Sequence, residues 1–405
     1  MNTVEKKFID ILKAYVHDER INVTLDSKVT WEKILEESRE HCVDGIVYSS
    51  IKWDNNTTYI DEGLKNTWKN SVFSQSIWQI SHIKKACCVF NEFNKQGIEF
   101  IVLKGFIIKK FYKRPEHRLM GDIDILVHKD DLDKITNGLY DLGYEKTGEA
   151  GHHVGFTNDE NHKIEVHWNL VNKTYFKGHI PLEDSLWKNV KKENINDIEV
   201  LVMSMEDMLV HLCLHMAVHI AYKGFGIRQL LDIALITRSI GNNVSWERFK
   251  EESKENNVEK FSYLVFLTCN TLFNVDTPKE LNRTFNVKKE ELDIFIDDIL
   301  KSGVHGKRDS MASFSAQAAF DLDEDSVSNN VLKRYFRLLF PQSYKLSEKY
   351  SYAKEFKILL PIAWLHRLLN GVFSDKFDLG DKISFFTTNI FKSYRRNKLL
   401  RWLEL

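Results

Sequence analysis

The sequence predicts an α+β protein in which one compact α/β unit, at about residues 98–170, sits between long helical regions. Three observations carry this. The chain has 405 residues with only 5 Pro and 18 Gly, both below their usual shares of about 5 % and 7 %, so chain breakers are too sparse for a many-turned all-β protein. Apolar residues recur at helical spacing along most of the chain. Between Ile98 and Leu170 that texture gives way to short apolar runs and strict alternation, the period of strands. Hydrophobic residues make up 43 % and charged residues 28 %, a globular composition, and this length implies two or three domains.

In chain order, Phe8, Ile11, Leu12 and Tyr15, then Trp31, Ile34 and Leu35, mark short helices. A long amphipathic helix follows over about 64–95. Trp68, Val72, Ile77, Ile80, Ile83, Cys87, Phe90 and Phe93 trace its apolar face, and Gly97 stands as its C′ residue. IEFIVLKG reads as a strand ending in glycine, FIIKKFYK as a helix and DIDILV as a second strand. DDLDKITNGLYDLGY is a helix stopped at Gly143, and HHVGF and KIEVHWNL are two more strands. From about 180 the pattern turns helical again. Ser204 caps MEDMLVHLCLHMAVHIA, and GFGIRQLLDIALITRSI, WERFKEESKENN, FSYLVFLTCNTLF and LDIFIDDILKSG follow. Residues 304–330 read as a polar loop or hinge, and the rest as helical, ending in the basic, aromatic FKSYRRNKLLRWLEL, a docking helix or a surface for RNA, peptide or membrane. The expected division is 1–97, 98–175, 176–303 and 304–405.

Charge and cysteine content exclude several classes. Lys+Arg is 57 and Asp+Glu is 58, a formal net charge of −1, which gives no global field for nucleic acid or acidic lipid. Cys42, Cys87, Cys88, Cys213 and Cys269 are odd in number and lack zinc-ligand spacing, so reduced thiols are expected. The N-terminal segment carries charges throughout and no signal-peptide core. No apolar stretch approaches the ~20 residues of a membrane span. The expected location is the cytoplasm.

The chemistry concentrates on the strands. Asp122 and Asp124 are two apart in DIDILV, so alternation places both on one face. Two adjacent carboxylates repel unless they face solvent or share a cation, and oxygen-only ligands favour Mg²⁺ or Mn²⁺. Glu165, in Ile164-Glu165-Val166, adds a third acid on another strand. Three carboxylates can hold two metals ~3.5–4 Å apart, an arrangement for phosphoryl transfer. Lys104-Gly105 closes a strand and opens a helix. Glycine lets a phosphate approach the backbone, and Lys104 adds a point charge for a triphosphate. Arg118, four residues before Asp122, is a triphosphate ligand or a brace for the acids. His167 shares a face with Glu165, to orient a carboxylate, touch substrate or simply pack. His211, His215 and His219 repeat every four residues; without a third-ligand motif of the H-E-x-x-H type they are expected to pack rather than hold zinc. Arg228 and Asp232 form an i,i+4 ion pair, or their helix walls the nucleotide site.

This combination resembles the nucleotidyltransferase superfamily that includes DNA polymerase beta. More closely it is similar to a group of uncharacterised bacterial nucleotidyltransferases whose core runs L-K-G, R-x-x-G-D-I-D-I-L-V, L-G-Y and I-E-[VL]-H-W. Here those pieces are 103–105, 118–127, 142–144 and 164–168. The resemblance extends from EHCVDGIVYSSI at 40–51 to RQLLDIALI. It implies a minimal nucleotidyltransferase core with a short mixed sheet between N- and C-terminal helical domains. It also implies transfer of a nucleoside monophosphate from an NTP, such as ATP, with release of pyrophosphate. Asp122 and Asp124 would bind Mg²⁺ or Mn²⁺, and Glu165 would complete the site and accept the proton of the attacking hydroxyl. Lys104, Gly105, Arg118 and Arg228 would contact the nucleotide. Lys104 and Phe106 depart from the small residue and the serine common around the superfamily's turn glycine. The acceptor is open: a small molecule or a peptide or protein is favoured over long nucleic acid, and an RNA end is possible. A catalytically silent nucleotide- or peptide-binding protein and a toxin-type transferase stay as alternatives.

Overall fold

The computed structural model describes residues 1–25, 29–53, 60–171, 179–222, 224–281, 285–304, 340–343, 346, 350–372 and 398–405. The expected 304–330 loop and the start of the C-terminal basic helix lie almost entirely outside them. The chain divides into two compact units, one of residues 1–220, 224–308 and 404–405, the other of 221–223 and 309–403.

In the first unit four helices precede the sheet: α1 (Thr3–Val16), α2 (Trp31–Glu40), α3 (Asp44–Ser50) and α4 (Glu62–Lys95). Helix α1 starts on a capping box in which Asn2 accepts from the Glu5 amide and Glu5 accepts from the Asn2 amide, at 2.9 and 2.6 Å. Helix α4 begins at Asp61, whose carboxylate accepts from the Leu64 amide, and Gly97 follows it at φ +64°, a left-handed position that favours glycine. Its buried face carries Trp68, Ala86, Val89, Phe90 and Phe93, but Gln79 and His82 too. Ile77 and Ile80, expected on that face, are exposed. Polar Gln79 turns inward because its side-chain amide donates to the Met120 carbonyl at 2.8 Å, tying α4 to the loop that carries the acids.

The α/β unit holds β1 (Phe100–Val102), α5 (Lys104–Ile108), β2 (Ile123–Val127), α6 (Leu132–Asp141), β3 (Tyr144–Ala150), β4 (His153–Asn158) and β5 (Lys163–His167). After α7 (Pro181–Ser185) come β6 (Lys191–Ile195) and β7 (Ile198–Val202), where the sequence reading is helical from about 180. The hairpin signal is local: Asn196 and Asp197 both have positive φ, 50° and 64°, as a two-residue type I′ turn requires. Charged Lys191, Lys192 and Glu193 mask the strand pattern, and they suit an edge. The result is a seven-stranded mixed sheet in the order β3-β4-β5-β2-β1-β7-β6. Strands β2 and β5 run parallel, and β1 lies antiparallel to β2 and parallel to β7. Buried on both faces, β2 reads as an almost continuous apolar run.

Helices α8 (Met205–Tyr222), α9 (Ile227–Ile240), α10 (Trp246–Glu255), α11 (Glu259–Phe273) and α12 (Lys289–Ser302) follow. Ser204 caps α8 as expected, accepting from the Asp207 amide at 3.2 Å. The second unit contains α13 (Ser351–Glu355) and α14 (Leu360–Val372), with Leu346, Tyr350, Ala353 and Ala363 as its described core. No helix among the described residues is long and apolar enough to cross a membrane.

Candidate active site

The β2–β5 register builds the site. Asp124 lies directly opposite Glu165 in the parallel pair, so the two side chains share a face. Asp122 stands just before β2 and is half-buried. Burial raises its pKa to about 6, the charges of Asp124 and Glu165 push the same way, and Lys104 and Arg228 oppose them. The three expected acids therefore lie in one electrostatic neighbourhood. Asp124, Glu165 and His167 also offer ligand atoms within 4.8 Å of one another. His167 orients both carboxylates: its Nε2 is 2.9 Å from Asp124 Oδ1 and 3.4 Å from Glu165 Oε2.

Lys104 does not point to the surface. Its Nζ sits 3.1 Å from Asp124 Oδ1, both side chains nearly buried, and its backbone is left-handed at φ +42°. That conformation costs a non-glycine residue about 1–2 kcal/mol, which the ion pair helps to offset. Burial would raise the Asp124 pKa, yet Lys104 and the His167 hydrogen bond outweigh it and hold the carboxyl well below its usual range. Burial would raise Glu165, yet the His167 hydrogen bond and the charges of His167 and His153 together hold it below its usual value. Burial would lower His167, but its bonds to Asp124 and Glu165 raise it. The cluster thus joins two acids held ionised, Asp124 and Glu165, one reluctant acid, Asp122, the Lys104 ammonium and an imidazole whose protonation the acids favour.

Arg118 pairs with an acid outside the cluster, on helix α9. Its Nε and Nη2 donate to the two carboxylate oxygens of Asp232 at 2.9 and 2.7 Å, and the Tyr112 hydroxyl donates to the same carboxylate at 2.5 Å. This triad is fully buried, with the Arg118 and Asp232 side chains only 8 % and 2 % exposed. Gly105 is small for this reason: a Cβ there would collide with Arg118 Nη1 and lie 3.1 Å from Met120 Sδ. Arg228 does not take Asp232 as its partner; its Nη1 donates to the Leu119 carbonyl at 2.6 Å, and its Nε is buried without a hydrogen bond. Helix α9 thus reaches the loop before Asp122 from two positions, Arg228 and Asp232.

Helix α8 brings His211 beneath the site, fully buried and lowered to about 3 by that burial, with Lys104 adding to the effect. His215 and His219 contact each other through their Nε2 atoms at 3.1 Å. The converging donor groups among the described residues do not include this ladder. They do include two histidines that the sequence reading passed over, His152 and His153, which converge with His167. Their signal in the sequence is the HH pair that opens the strand HHVGF.

The donor set fits divalent metal. Asp124 and Glu165 share one face, while Asp122 is not among the converging donor groups of the described residues; the neighbouring acids oppose its ionisation, a repulsion that a bound cation relieves. Because Asp122 is raised in the fold, the folded state binds its proton more tightly than the unfolded chain does. Its ionisation therefore costs stability, a cost that sets in above the ordinary value of 3.8 and is complete above about 6. Asp122→Asn should stabilise the metal-free protein by about 1–3 kcal/mol near neutral pH and leave it unchanged near pH 3. Urea unfolding across pH checks this; equal stability of variant and parent near neutrality would contradict it.

An acid cluster beside a strand-to-helix turn bearing a lysine is an arrangement that phosphoryl and nucleotidyl transfer use. A family model described as an uncharacterised nucleotidyltransferase matches residues 27–274, more than half of the chain, and the chain belongs to that family. The solution structure of the antibiotic-resistance factor ANT(2'')-Ia is similar at 12 % identity, covering 43 % of this chain and 90 % of that one with a TM-score of 0.34. A nucleotidyltransferase-like antigenic protein from Paracoccidioides brasiliensis is similar at 16 % identity, covering 48 % and 93 % with a TM-score of 0.30. A tRNA-processing enzyme is similar at 11 % identity, covering 84 % and 99 % with a TM-score of 0.24. No curated protein matches the chain.

Proposed function

We propose that this protein transfers a nucleoside monophosphate from an NTP to an acceptor hydroxyl and releases pyrophosphate, with Mg²⁺ or Mn²⁺ held by Asp122, Asp124 and Glu165. The observation that carries the reading is the Asp124–Glu165 register, with Asp122 close enough to feel both charges. Divalent ions at these carboxylates would polarise the reacting phosphate and stabilise the departing pyrophosphate. Glu165, ionised at neutral pH, accepts the proton of the acceptor hydroxyl. His167 holds Glu165 and Asp124 in place. Lys104 exchanges Asp124 for a triphosphate oxygen at the turn before Gly105, and Arg228, whose charge is felt at Asp122, adds a second cation to the site. Arg118 acts behind the turn, through Asp232. The near-zero net charge favours a small-molecule, peptide or protein acceptor over long nucleic acid.

Lys104 supplies the test. A charge-assisted contact to phosphate is worth roughly 1.5–3 kcal/mol, so Lys104→Ala should weaken binding of a non-hydrolysable NTP about thirty-fold while Mn²⁺ binding persists. Unchanged NTP affinity in a direct titration would remove Lys104 from the phosphate site.

A further inference from the structure

We propose that His152, His153 and His167 bind one zinc ion, at a nitrogen site beside the carboxylates and distinct from the oxygen site proposed for Mg²⁺. One ring nitrogen of each lies within 4.8 Å of the others. Two elements position them. His153 opens β4 and pairs directly with His167 of β5 in the antiparallel ladder, which puts their side chains on one face. His152 precedes β4 in the turn and is fixed by its carbonyl, which accepts from the Trp168 amide at 3.1 Å. Its Nε2 lies 3.2 Å from His153 Nδ1. The ring centroids of His153 and His167 are 5.0 Å apart, and those of His152 and His167 are 5.5 Å apart.

The rings are not gathered by mutual hydrogen bonding alone. His152 Nδ1 and His167 Nδ1 are buried without a hydrogen-bond partner, and His167 is only 3 % exposed. Buried polar atoms are seldom left unpaired, so two orphaned imidazole nitrogens in one cluster call for a ligand. At its other nitrogen, His167 contacts Asp124 and Glu165. A carboxylate on the far side of an imidazole is the usual support of a metal-bound histidine. Three imidazoles suit zinc rather than magnesium, and three protein ligands leave a fourth position open. Closure to zinc-ligand distances asks movement mainly of His152 and His153, both of which are only partly buried.

Co²⁺ is the probe, because a tetrahedral nitrogen site gives it an intense visible band that carboxylate and water ligands do not. The full-length protein, stripped of metal and held in excess Mg²⁺, should take up one Co²⁺ with that band and lose it to one equivalent of Zn²⁺. His152→Ala and His153→Asn should each abolish the band and weaken zinc binding by more than about 100-fold, the upper end of the loss for merely supporting residues. Asp122→Asn should keep it. Absence of the band in the parent protein, or its survival in either histidine variant, would overturn the proposal. Neither result depends on NTP turnover, so the zinc site and the transferase reading stand or fall separately.

Discussion

Asp124→Asn should lower NTP turnover by more than about 1,000-fold, some 4 kcal/mol of barrier, and should also destabilise the metal-free fold. The second effect reverses what alternation alone suggests. Two carboxylates on one strand face repel, so deleting either looks favourable. In the structure only Asp122 fits that description, since its pKa is raised. Asp124 is the opposite case: Lys104 at 3.1 Å and His167 at 2.9 Å make it the anion on which a nearly buried ammonium and a buried imidazole depend. Its neutralisation leaves both under-compensated and removes charge-assisted bonds worth about 1.5–3 kcal/mol. The two aspartates should therefore part company in urea unfolding near neutral pH, Asp122→Asn more stable than the parent and Asp124→Asn less. Equal shifts of one sign would contradict the assigned electrostatics.

Asp232→Ala should cost about 3–5 kcal/mol of stability, the usual penalty for breaking a buried ion pair from one side. It strands the Arg118 guanidinium and removes the acceptor of the Tyr112 hydroxyl, deep within the fold. Replacing both partners, as Arg118→Met with Asp232→Leu, should recover most of the loss, because two apolar side chains need no compensation. Urea midpoints of the single and double variants decide the matter. A loss under about 1 kcal/mol in the single variant would mean that the pair is not closed in solution.

The candidate site was legible where local periodicity determines it. Asp124 and Glu165 each stand between apolar residues, so their shared face follows from alternation as soon as β5 pairs beside β2; Asp122 lies just before β2 and outside that converging group. What stayed hidden is non-local. Arg118 and Asp232 are 114 residues apart, and nothing in the i,i+4 spacing of Arg228 and Asp232 says that each will prefer a partner outside its own helix. At Gly105 the sequence points to a phosphate approach, and it does not show that the missing Cβ also makes room for Arg118. On α4, Ile77 and Ile80 fit the apolar stripe and are exposed, because Gln79 finds a carbonyl acceptor inside. The β6–β7 hairpin was concealed by lysines that suit an edge strand, though its Asn196-Asp197 turn was in plain view. His152 and His153 have no meaning as a pair until β4 folds back on β5 and sets His153 opposite His167.

The most direct test of the central claim follows the label. The full-length protein is incubated with each NTP carrying label at the α-phosphate, in Mg²⁺ or Mn²⁺, with pooled small-molecule, protein and RNA acceptors. Pyrophosphate release with α-label transferred to an acceptor, dependent on the divalent ion and absent in Asp124→Asn, is the predicted result. Release without transfer of the α-label, label transferred only from the γ-phosphate, or turnover unchanged in Asp124→Asn would contradict it.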